Sequence, residues 1–263
     1  MNRLTDRLRV AALPLDIAFA DKKANREAVE KAFGSLPEGT DLVVLPELFS
    51  TGYTDDPDLL REMAEKNTSR TMDFIKGLAA QHGTAIAGSF LAYTAPGIYN
   101  RAFFIEPSGE ETFYDKHHLF SVSSEAKLLH RGIDPVRTVR FRGWNIATII
   151  CYDLRFPVWC RNRHNRYDLL LVPANWPAAR GYAWKHLLIA RAIENQCAVV
   201  GANRGGHDRY GDYDGQSYIF DCHGISSGHI VGPFVCSDLS REAQEEYREK
   251  FPVASDADDF SID

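Results

Sequence analysis

The sequence predicts an α/β fold, in which strands and helices alternate along the chain. Leu8 to Leu13 and Leu42 to Leu45 are short apolar runs typical of buried strands. Lys22 to Phe33 and Thr71 to His82 carry their apolar residues at helical spacing instead. The stretch from Ala85 to Lys116 reads as consecutive strands joined by short turns. Such alternation is typical of sheets covered by layers of helices.

The middle of the chain predicts an antiparallel meander. Ala85 to Tyr93, Asn100 to Glu106 and Thr112 to Lys116 are strand-like, and Pro107-Ser108-Gly109-Glu110 favours a tight turn between two of them. Alternation then resumes, and the expected elements are a strand ending at Ile150, a helix over Val158 to Asn165, a strand over Asp168 to Val172, a helix over Tyr182 to Asn195 and a strand over Ala198 to Ala202.

Two further segments are expected to lie outside regular structure. Gly205 to Gly215 is polar and glycine-rich, which predicts a loop. The acidic stretch from about Val253 to Asp263 is interpreted as an extended, solvated tail. Neither a G-x-G-x-x-G after a strand nor a G-x-x-x-x-G-K-[ST] occurs, so the sequence gives no support for a nucleotide cofactor.

Length and composition favour one domain over residues 1–263. The chain has 263 residues, of which 44% are hydrophobic and 25% charged, an ordinary globular composition. No run approaches the roughly 20 apolar residues of a membrane span. Met1 to Arg7 lacks the apolar stretch of a secretory signal. We therefore expect a cytoplasmic protein.

Charge and cysteine content reduce the classes of partner that the sequence supports. A net charge of -6 without a basic run argues against nucleic acid and against an anionic membrane surface. The five cysteines are odd in number and form no C-x-x-C pair, which argues against a disulfide framework and a structural zinc site. Reduced thiols, a small-molecule partner and no metal are expected.

Three strand ends carry residues that together suit nucleophilic chemistry. Cys151 closes an apolar strand just before a turn, Glu47 follows Leu45-Pro46, and Lys116 ends the strand from Thr112. Loops leaving strand ends can converge on one crevice. A thiol is a poor nucleophile near pH 7 unless a cation stabilises its thiolate or a carboxylate accepts its proton. Taken alone, Cys151 would more often be a small buried packing residue.

These strand ends also carry a family resemblance. Leu45 to Tyr53, Tyr114 to Phe120 and Ile150 to Pro157 resemble the three signature segments of the carbon-nitrogen hydrolase (nitrilase) superfamily, in the same order. The resemblance spans roughly Leu8 to the C-terminus. It implies a four-layer α-β-β-α sandwich that associates through its outer helices as a homodimer or higher homo-oligomer.

The resemblance also implies a catalytic set. The family's Glu-Lys-Cys triad falls on Glu47, Lys116 and Cys151, and a second family glutamate falls on Glu125 in Ser123-Ser124-Glu125-Ala126. Without the family, Glu125 would be interpreted as a surface carboxylate. The implied reaction consumes an amide and water and needs no cofactor. Nitrilases share the triad, so these residues leave amide, carbamoyl and nitrile substrates open.

Further segments resemble the omega-amidase branch, whose members hydrolyse the terminal amides of 2-oxoglutaramate and 2-oxosuccinamate. They are Asn175-Trp176-Pro177, Arg191 to Asn195 and Tyr247 to Pro252. Candidate substrate-binding residues are Tyr152, whose backbone N–H could meet the oxyanion, and Asn175, Trp176 and Arg180. Arg180 is expected to bind the substrate carboxylate, because a guanidinium can engage it with two hydrogen bonds; a solvent-exposed loop arginine is the alternative.

Several interpretations stay open at this stage. Arg155 more often fits a structural ion pair than a substrate contact. His117 and His118 would face opposite ways on an extended segment, which favours packing over shared metal binding. Trp176, Tyr182 and Trp184 could line a pocket or belong to the core. A papain-like Cys-His hydrolase and a non-catalytic binding module are the rival function classes.

Overall fold

A computed structural model of the chain describes residues 6–262. The segment Met1 to Arg7, in which we expect no secretory signal, therefore lies mostly outside the described residues. Asp263 lies outside them as well. Within residues 6–262, none of the helices combines the length and the apolar character needed to cross a membrane.

The described residues form fourteen strands and six α-helices. The strands are β1 Arg7–Ala12, β2 Leu42–Val44, β3 Ala85–Thr94, β4 Gly97–Ile105, β5 Glu111–Asp115, β6 Thr138–Phe141, β7 Trp144–Thr148, β8 Leu169–Ala174, β9 Ala198–Asn203, β10 Gly205–Asp208, β11 Gly211–Asp214, β12 Tyr218–Phe220, β13 His229–Val231 and β14 Phe234–Ser240. The helices are α1 Lys22–Phe33, α2 Pro57–Met63, α3 Arg70–His82, α4 Glu125–Leu128, α5 Gly181–Asn195 and α6 Arg241–Lys250. Short 3-10 helices cover Cys151–Arg155, Arg163–Asn165, Ala178–Arg180 and Val253–Asp256.

Two large sheets pack face to face. The first has seven strands in the order β13-β14-β1-β2-β3-β4-β5, and the second has five in the order β12-β9-β8-β7-β6. Strands β1, β2 and β3 run parallel, as do β7, β8 and β9. One apolar core lies between the sheets and takes Val10 and Leu42 from the first and Ile146, Leu169 and Val200 from the second.

Helices cover the outer face of each sheet. Because side chains alternate across a strand, Val43 and Ile86 point away from the central core and pack with Phe33 and Ile75 of α1 and α3. On the second sheet, Leu170 and Val199 pack with Trp184 and Leu188 of α5 in the same way. The result is a four-layer α-β-β-α sandwich, which confirms the predicted fold class.

Local signals account for the elements that the sequence predicted well. Helix α1 begins after Asp21, whose side chain accepts a hydrogen bond from the Ala24 N–H, and it spans the predicted residues. Helix α3 begins after the cap Ser69 and ends at Gly83 in the left-handed conformation. The antiparallel pairing of β3, β4 and β5 is confirmed.

The helix expected over Val158 to Asn165 is wrong. Only a 3-10 turn forms, at Arg163–Asn165, and His164 and Asn165 have positive φ. The side chain of Asn162 accepts from the Tyr167 N–H at 3.0 Å and donates to the Tyr167 carbonyl at 2.8 Å. These bonds compete with the helical backbone pattern.

The loop expected over Gly205 to Gly215 is also wrong, because the segment forms the hairpin β10–β11. Its polarity does not prevent pairing, since Arg204 beside it is buried and binds Asp208 at 2.6 Å. The C-terminal tail, which was expected to be extended, is not extended throughout. It begins with the 3-10 helix Val253–Asp256, and Asp259 further along lies 3.4 Å from Arg163.

Candidate active site

Glu47, Lys116 and Cys151 meet at one edge of the sandwich. Glu47 lies just beyond β2, Lys116 directly follows β5, and Cys151 opens the 3-10 helix after β7. All three line a cavity of about 540 Å³. Glu125, at the start of α4, lines the same cavity, so the structure brings together the four candidate catalytic residues.

The floor of the cavity is a buried ion cluster. Lys116 Nζ lies 2.7 Å from Glu47 Oε1 and 2.9 Å from Glu125 Oε1. Burial works to lower the pKa of Lys116, but the carboxylates of Glu125 and Glu47 raise it well above its usual range. The ammonium therefore stays charged. Glu125 Oε2 also lies 3.1 Å from Nζ, so the three N–H donors of the ammonium face three carboxylate oxygens, and a ligand would compete with the longest of these contacts.

The thiol of Cys151 is neutral in this environment. Burial and the neighbouring Glu47 carboxylate raise its pKa well above the ordinary value, and Lys116 offsets only part of that rise. The expected stabilisation of a thiolate by Lys116 therefore needs correction, because two carboxylates already engage that ammonium. The arrangement instead suits proton transfer from the thiol to Glu47 during attack.

The turn that carries Cys151 is strained and tightly held. Cys151 has a φ of +43°, which is unusual for a residue with a side chain. Asp153, fully buried, accepts from the N–H groups of Ile150 and His118, from His118 Nδ1 and from the Tyr114 hydroxyl, over 2.8 to 3.1 Å. These bonds tie the turn to the segment around Lys116.

Asn100 is a site residue that the sequence analysis missed. It lies in β4 with no exposed surface, and its Nδ2 donates to Glu47 Oε1 at 2.7 Å. Its backbone carbonyl accepts from the Lys116 N–H at 2.9 Å. The available signal was a polar amide inside an otherwise apolar strand, since a buried polar group needs partners.

Two arginines face the cavity. Arg180, in the 3-10 helix Ala178–Arg180, stacks on Phe120 at 5.5 Å, and Arg155 stacks on Trp176 at 4.8 Å. Within residues 6–262 neither guanidinium makes an ion pair. The structural ion pair expected for Arg155 is therefore absent from the described part of the chain. Arg155 and Arg180 are the arginines that line the cavity.

The remaining candidate substrate-binding residues also lie at the cavity. Tyr152 packs edge-on against Phe120, and Trp176 lines the wall beside it. The Asn175 N–H donates to Glu47 Oε2 at 2.8 Å. Both polar atoms of the Asn175 carboxamide are buried and find no partner among the described residues. Trp184 instead belongs to the core, and Tyr182 is 80% exposed and outside the cavity.

His117 and His118 pack and form hydrogen bonds, as predicted, although their rings do not face opposite ways. Their ring centroids are 4.6 Å apart, and they stack on Trp159 and Phe156 respectively. His117 Nδ1 lies 2.8 Å from the Gly132 carbonyl, and Arg131 donates to its Nε2, which fixes the neutral tautomer. Burial lowers the pKa of His117.

The hairpin β10–β11 forms the far wall of the cavity, which the sequence analysis did not foresee. It contributes Tyr210 and Tyr213. The hydroxyl of Tyr210 donates to Asp55 at 2.8 Å and anchors the hairpin to the loop before α2. Burial raises the pKa of Tyr213, so its phenol stays protonated.

The other cysteines are buried, as expected for packing residues. Burial and Asp153 raise the pKa of Cys160 to about 12, and burial with Asp221 raises that of Cys222 to about 11. Cys160, Cys197, Cys222 and Cys236 all lie outside the cavity.

Known proteins share this sequence pattern and fold. The family model described as carbon-nitrogen hydrolase matches residues 9–229. Omega-amidase YafV of Escherichia coli strain K12 is 39% identical over 262 residues, with 97% of this chain and 98% of that protein covered. A 2-oxoglutaramate amidase of Bacillus subtilis strain 168 is 32% identical over 252 residues, covering 94% and 96% of the two chains.

A solved structure agrees in fold. The crystal structure of XC1258 from Xanthomonas campestris superposes with a TM-score of 0.92 at 36% identity, covering 98% of this chain and 99% of that one. That protein is described as a CN-hydrolase superfamily protein with an arsenic adduct in its active site.

Proposed function

The chain belongs to the carbon-nitrogen hydrolase family, and we propose that it is an omega-amidase whose substrate resembles 2-oxoglutaramate or 2-oxosuccinamate. It is a hydrolase of carbon-nitrogen bonds other than peptide bonds. The observation that carries the substrate class is the 39% identity to omega-amidase YafV over nearly the whole of both chains. The two arginines that line the cavity, Arg155 and Arg180, support an anionic substrate independently.

Cys151 is the proposed nucleophile and Glu47 the general base. Glu47 takes the thiol proton while the sulfur attacks the amide carbon, and a carbon-sulfur bond forms. Glu47 returns that proton to the nitrogen as the carbon-nitrogen bond breaks, and ammonia leaves a thioester. Glu47 then takes a proton from water, the resulting hydroxide attacks the thioester, and the proton returns to the sulfur as the acid departs.

Lys116 is the proposed electrophilic partner. The longest contact of its ammonium is to Glu125 Oε2 at 3.1 Å, and the developing oxyanion takes over that N–H as its negative charge builds up. The backbone N–H of Tyr152 is the proposed second donor. Glu125, 2.9 Å from the ammonium, holds it in place. These roles fit the buried, low-dielectric floor of the cavity, where such donors are most effective.

Arg180 is the proposed anchor for the substrate carboxylate, with Arg155 as a second cation beside it. Both line the cavity without an ion pair in the described part of the chain, and each lies against an aromatic face that holds it there. The unpaired carboxamide of Asn175 offers a donor and an acceptor to the rest of the substrate. Trp176 supplies an apolar surface for the carbon chain of the substrate.

The geometry disfavours a papain-like alternative. His117 Nε2 is occupied by Arg131, and His118 Nδ1 contacts Asp153 at 2.9 Å. Each ring nitrogen in these contacts points at a group other than Cys151. A purely structural module would not require a buried lysine shared by two carboxylates, because such ion clusters carry a desolvation cost.

We further propose that the protein is a single-domain, cytoplasmic homodimer or higher homo-oligomer. Five unpaired cysteines suit a reducing compartment. Exposed apolar side chains on and near α5, among them Tyr182, Ile193 and Ile225, suit association through an outer helix layer.

One experiment tests the proposed substrate class. Ammonia release is measured across 2-oxoglutaramate, 2-oxosuccinamate, matched amides without a carboxylate, carbamoyl compounds and nitriles. We expect the oxo-amides to give the highest kcat/KM. A clear preference for a nitrile, or no ammonia from either oxo-amide, would contradict the omega-amidase assignment while leaving the family membership intact.

A further inference from the structure

A closed circuit of hydrogen bonds surrounds the proposed general base. The Leu48 N–H donates to Ser89 Oγ at 2.9 Å, Ser89 Oγ lies 2.9 Å from Asn100 Oδ1, and Asn100 Nδ2 lies 2.7 Å from Glu47 Oε1. Leu48 directly follows Glu47, so the circuit begins at the backbone beside Glu47 and ends at the Glu47 carboxylate. Ser89 and Asn100 are both fully buried.

The circuit fixes the orientation of the Asn100 amide. Ser89 Oγ accepts from a backbone N–H, so its own hydroxyl proton is directed to Asn100 Oδ1. The amide nitrogen of Asn100 must then face Glu47, where it can only donate. The same nitrogen lies 3.4 Å from Glu125 Oε1, which is also an acceptor.

This orientation makes the two oxygens of Glu47 inequivalent. Oε1 receives Lys116 Nζ and Asn100 Nδ2, both at 2.7 Å, which fills its two acceptor positions. Oε2 receives only the Asn175 N–H, at 2.8 Å, among the contacts of the described residues. One acceptor position on Oε2 is therefore left for a proton from the thiol.

The circuit also holds a strained turn. Leu48 has a φ of +49°, an uncommon value for a branched side chain, and it directly follows Glu47. Its N–H is satisfied by a side chain from the neighbouring strand rather than by its own turn. Ser89 thus restrains the backbone of the general base, while Asn100 restrains its carboxylate.

We propose that Asn100, oriented by Ser89, is a positioning residue that reserves Oε2 of Glu47 as the basic oxygen facing Cys151. This inference deepens the proposed function and depends on the roles of Glu47 and Cys151 there. It does not depend on which acyl group the enzyme accepts. Asn100 acts through Glu47 and does not touch the reacting atoms.

The test measures the pH dependence of kcat/KM for Asn100→Ala and Ser89→Ala, with the amide or nitrile that the wild type hydrolyses best. Glu47 is faced by Lys116, Glu125, Cys151 and Tyr213, and these variants leave all four groups in place. Asn100→Ala removes a donor to the ionised carboxylate, and Ser89→Ala removes the group that aims this donor, so the acid limb should move to higher pH in both variants. We expect kcat/KM to fall about a hundredfold for Asn100→Ala, the scale of a small misplacement of a reacting group, and about tenfold for Ser89→Ala.

Ser237→Ala is the matched control. Ser237 is also buried, and its hydroxyl donates to Ser227 at 2.9 Å away from the cavity. It should lower the melting temperature comparably and leave the pH profile unmoved. Wild-type acid limbs and kcat/KM within twofold in both site variants would overturn the proposal.

A second variant decides the question if Asn100→Ala does not fold. Asn100→Asp keeps the shape but places a carboxylate against Glu47, so the acid limb should move further to higher pH. An unmoved limb in this variant also overturns the proposal. These variants are assayed with whichever substrate the wild type hydrolyses best. Failure of the omega-amide assignment is therefore seen separately, in the ammonia release of the wild type across the substrates.

Discussion

The Tyr114 hydroxyl donates to Asp153 Oδ2 over 2.9 Å, and this bond joins the strand leading to Lys116 to the turn that carries Cys151. Tyr114 also accepts from Trp159 Nε1 at 2.9 Å. The segments that carry Lys116 and Cys151, which are far apart in sequence, are thus held together by one buried carboxylate.

Asp153→Asn should destabilise the protein and slow turnover together. An asparagine presents an NH₂ group where Asp153 receives only donors, so at least one buried donor loses its acceptor. We expect a loss of roughly 2–4 kcal/mol in the free energy of unfolding, measured by urea denaturation. Asp134→Asn breaks an exposed pair with Arg137 and should cost less than about 1 kcal/mol. Equal losses in the two variants would show that the hydrogen bonds to Asp153 stabilise the protein no more than an exposed ion pair does.

Iodoacetamide should label Cys151 first, with inactivation in step. Cys151 lines the cavity, whereas Cys160 is 1% exposed and lies outside it. Peptide mapping by mass spectrometry after partial inactivation checks this. Full inactivation with Cys160 or Cys236 modified and Cys151 intact would assign the nucleophile elsewhere.

The labelling rate should depend on pH in a specific way. Because burial and Glu47 raise the pKa of Cys151, its thiolate fraction keeps growing past pH 8.5 or so, where an ordinary thiol is half ionised. In Glu47→Gln one cause of the raised pKa is removed, so the rate curve should shift to lower pH while amide turnover is lost. A plateau below pH 8 or so in the wild type would instead indicate a preformed thiolate.

Lys116→Arg should lose at least about a hundredfold in kcat, the scale for removing one oxyanion donor. The guanidinium keeps the charge, but its planar shape cannot reproduce the three-way contacts of the ammonium. Lys76→Arg is the control, since Lys76 makes a partly exposed ion pair with Glu111 at 2.8 Å. Near wild-type turnover in Lys116→Arg would show that Lys116 contributes only its positive charge and not a specific hydrogen bond to the oxyanion.

Arg180→Ala should weaken hydrolysis of the oxo-amides chiefly through KM, by about tenfold to a hundredfold if a charged hydrogen bond of roughly 1.5–3 kcal/mol is lost. Hydrolysis of a matched amide without a carboxylate, and labelling of Cys151, should hardly change. Arg155→Ala shows whether the second cavity arginine shares the anchoring. Arg166→Ala, at an exposed arginine outside the cavity, is the control. Unchanged kinetics on both oxo-amides would remove Arg180 from the site.

Strong local signals made much of the fold predictable. Helical spacing predicted α1 over Lys22–Phe33, and the apolar runs predicted the central strands. The hairpin β10–β11 was not predictable from polarity, because its stability depends on distant groups. Arg204 donates to the carbonyl of Ile17, and Tyr210 reaches Asp55. Helix α2 was missed although Asp56 and Pro57 mark its start.

The candidate site residues at strand ends were predictable from the sequence. Residues whose role depends on how two strands pair were less so. Glu47, Lys116 and Cys151 follow strands whose apolar patterns are plain in the sequence. Asn100 was missed because its role depends on the register of β3 and β4, which brings Ser89 and Asn100 within hydrogen-bonding distance. Arg155 was misjudged because its aromatic neighbour Trp176 lies far along the chain.

The positive φ values at Leu48 and Cys151 have a consequence for engineering. Both backbones adopt a conformation that costs a residue with a side chain about 1 kcal/mol or more. Glycine at Cys151 would relieve that strain, so an inactive Cys151→Gly protein should tolerate heat better than the Cys151→Ala protein. Selection for thermal resistance alone would therefore favour sequences that relax these two turns. A screen for stable variants of this enzyme therefore needs to measure turnover after the heat treatment.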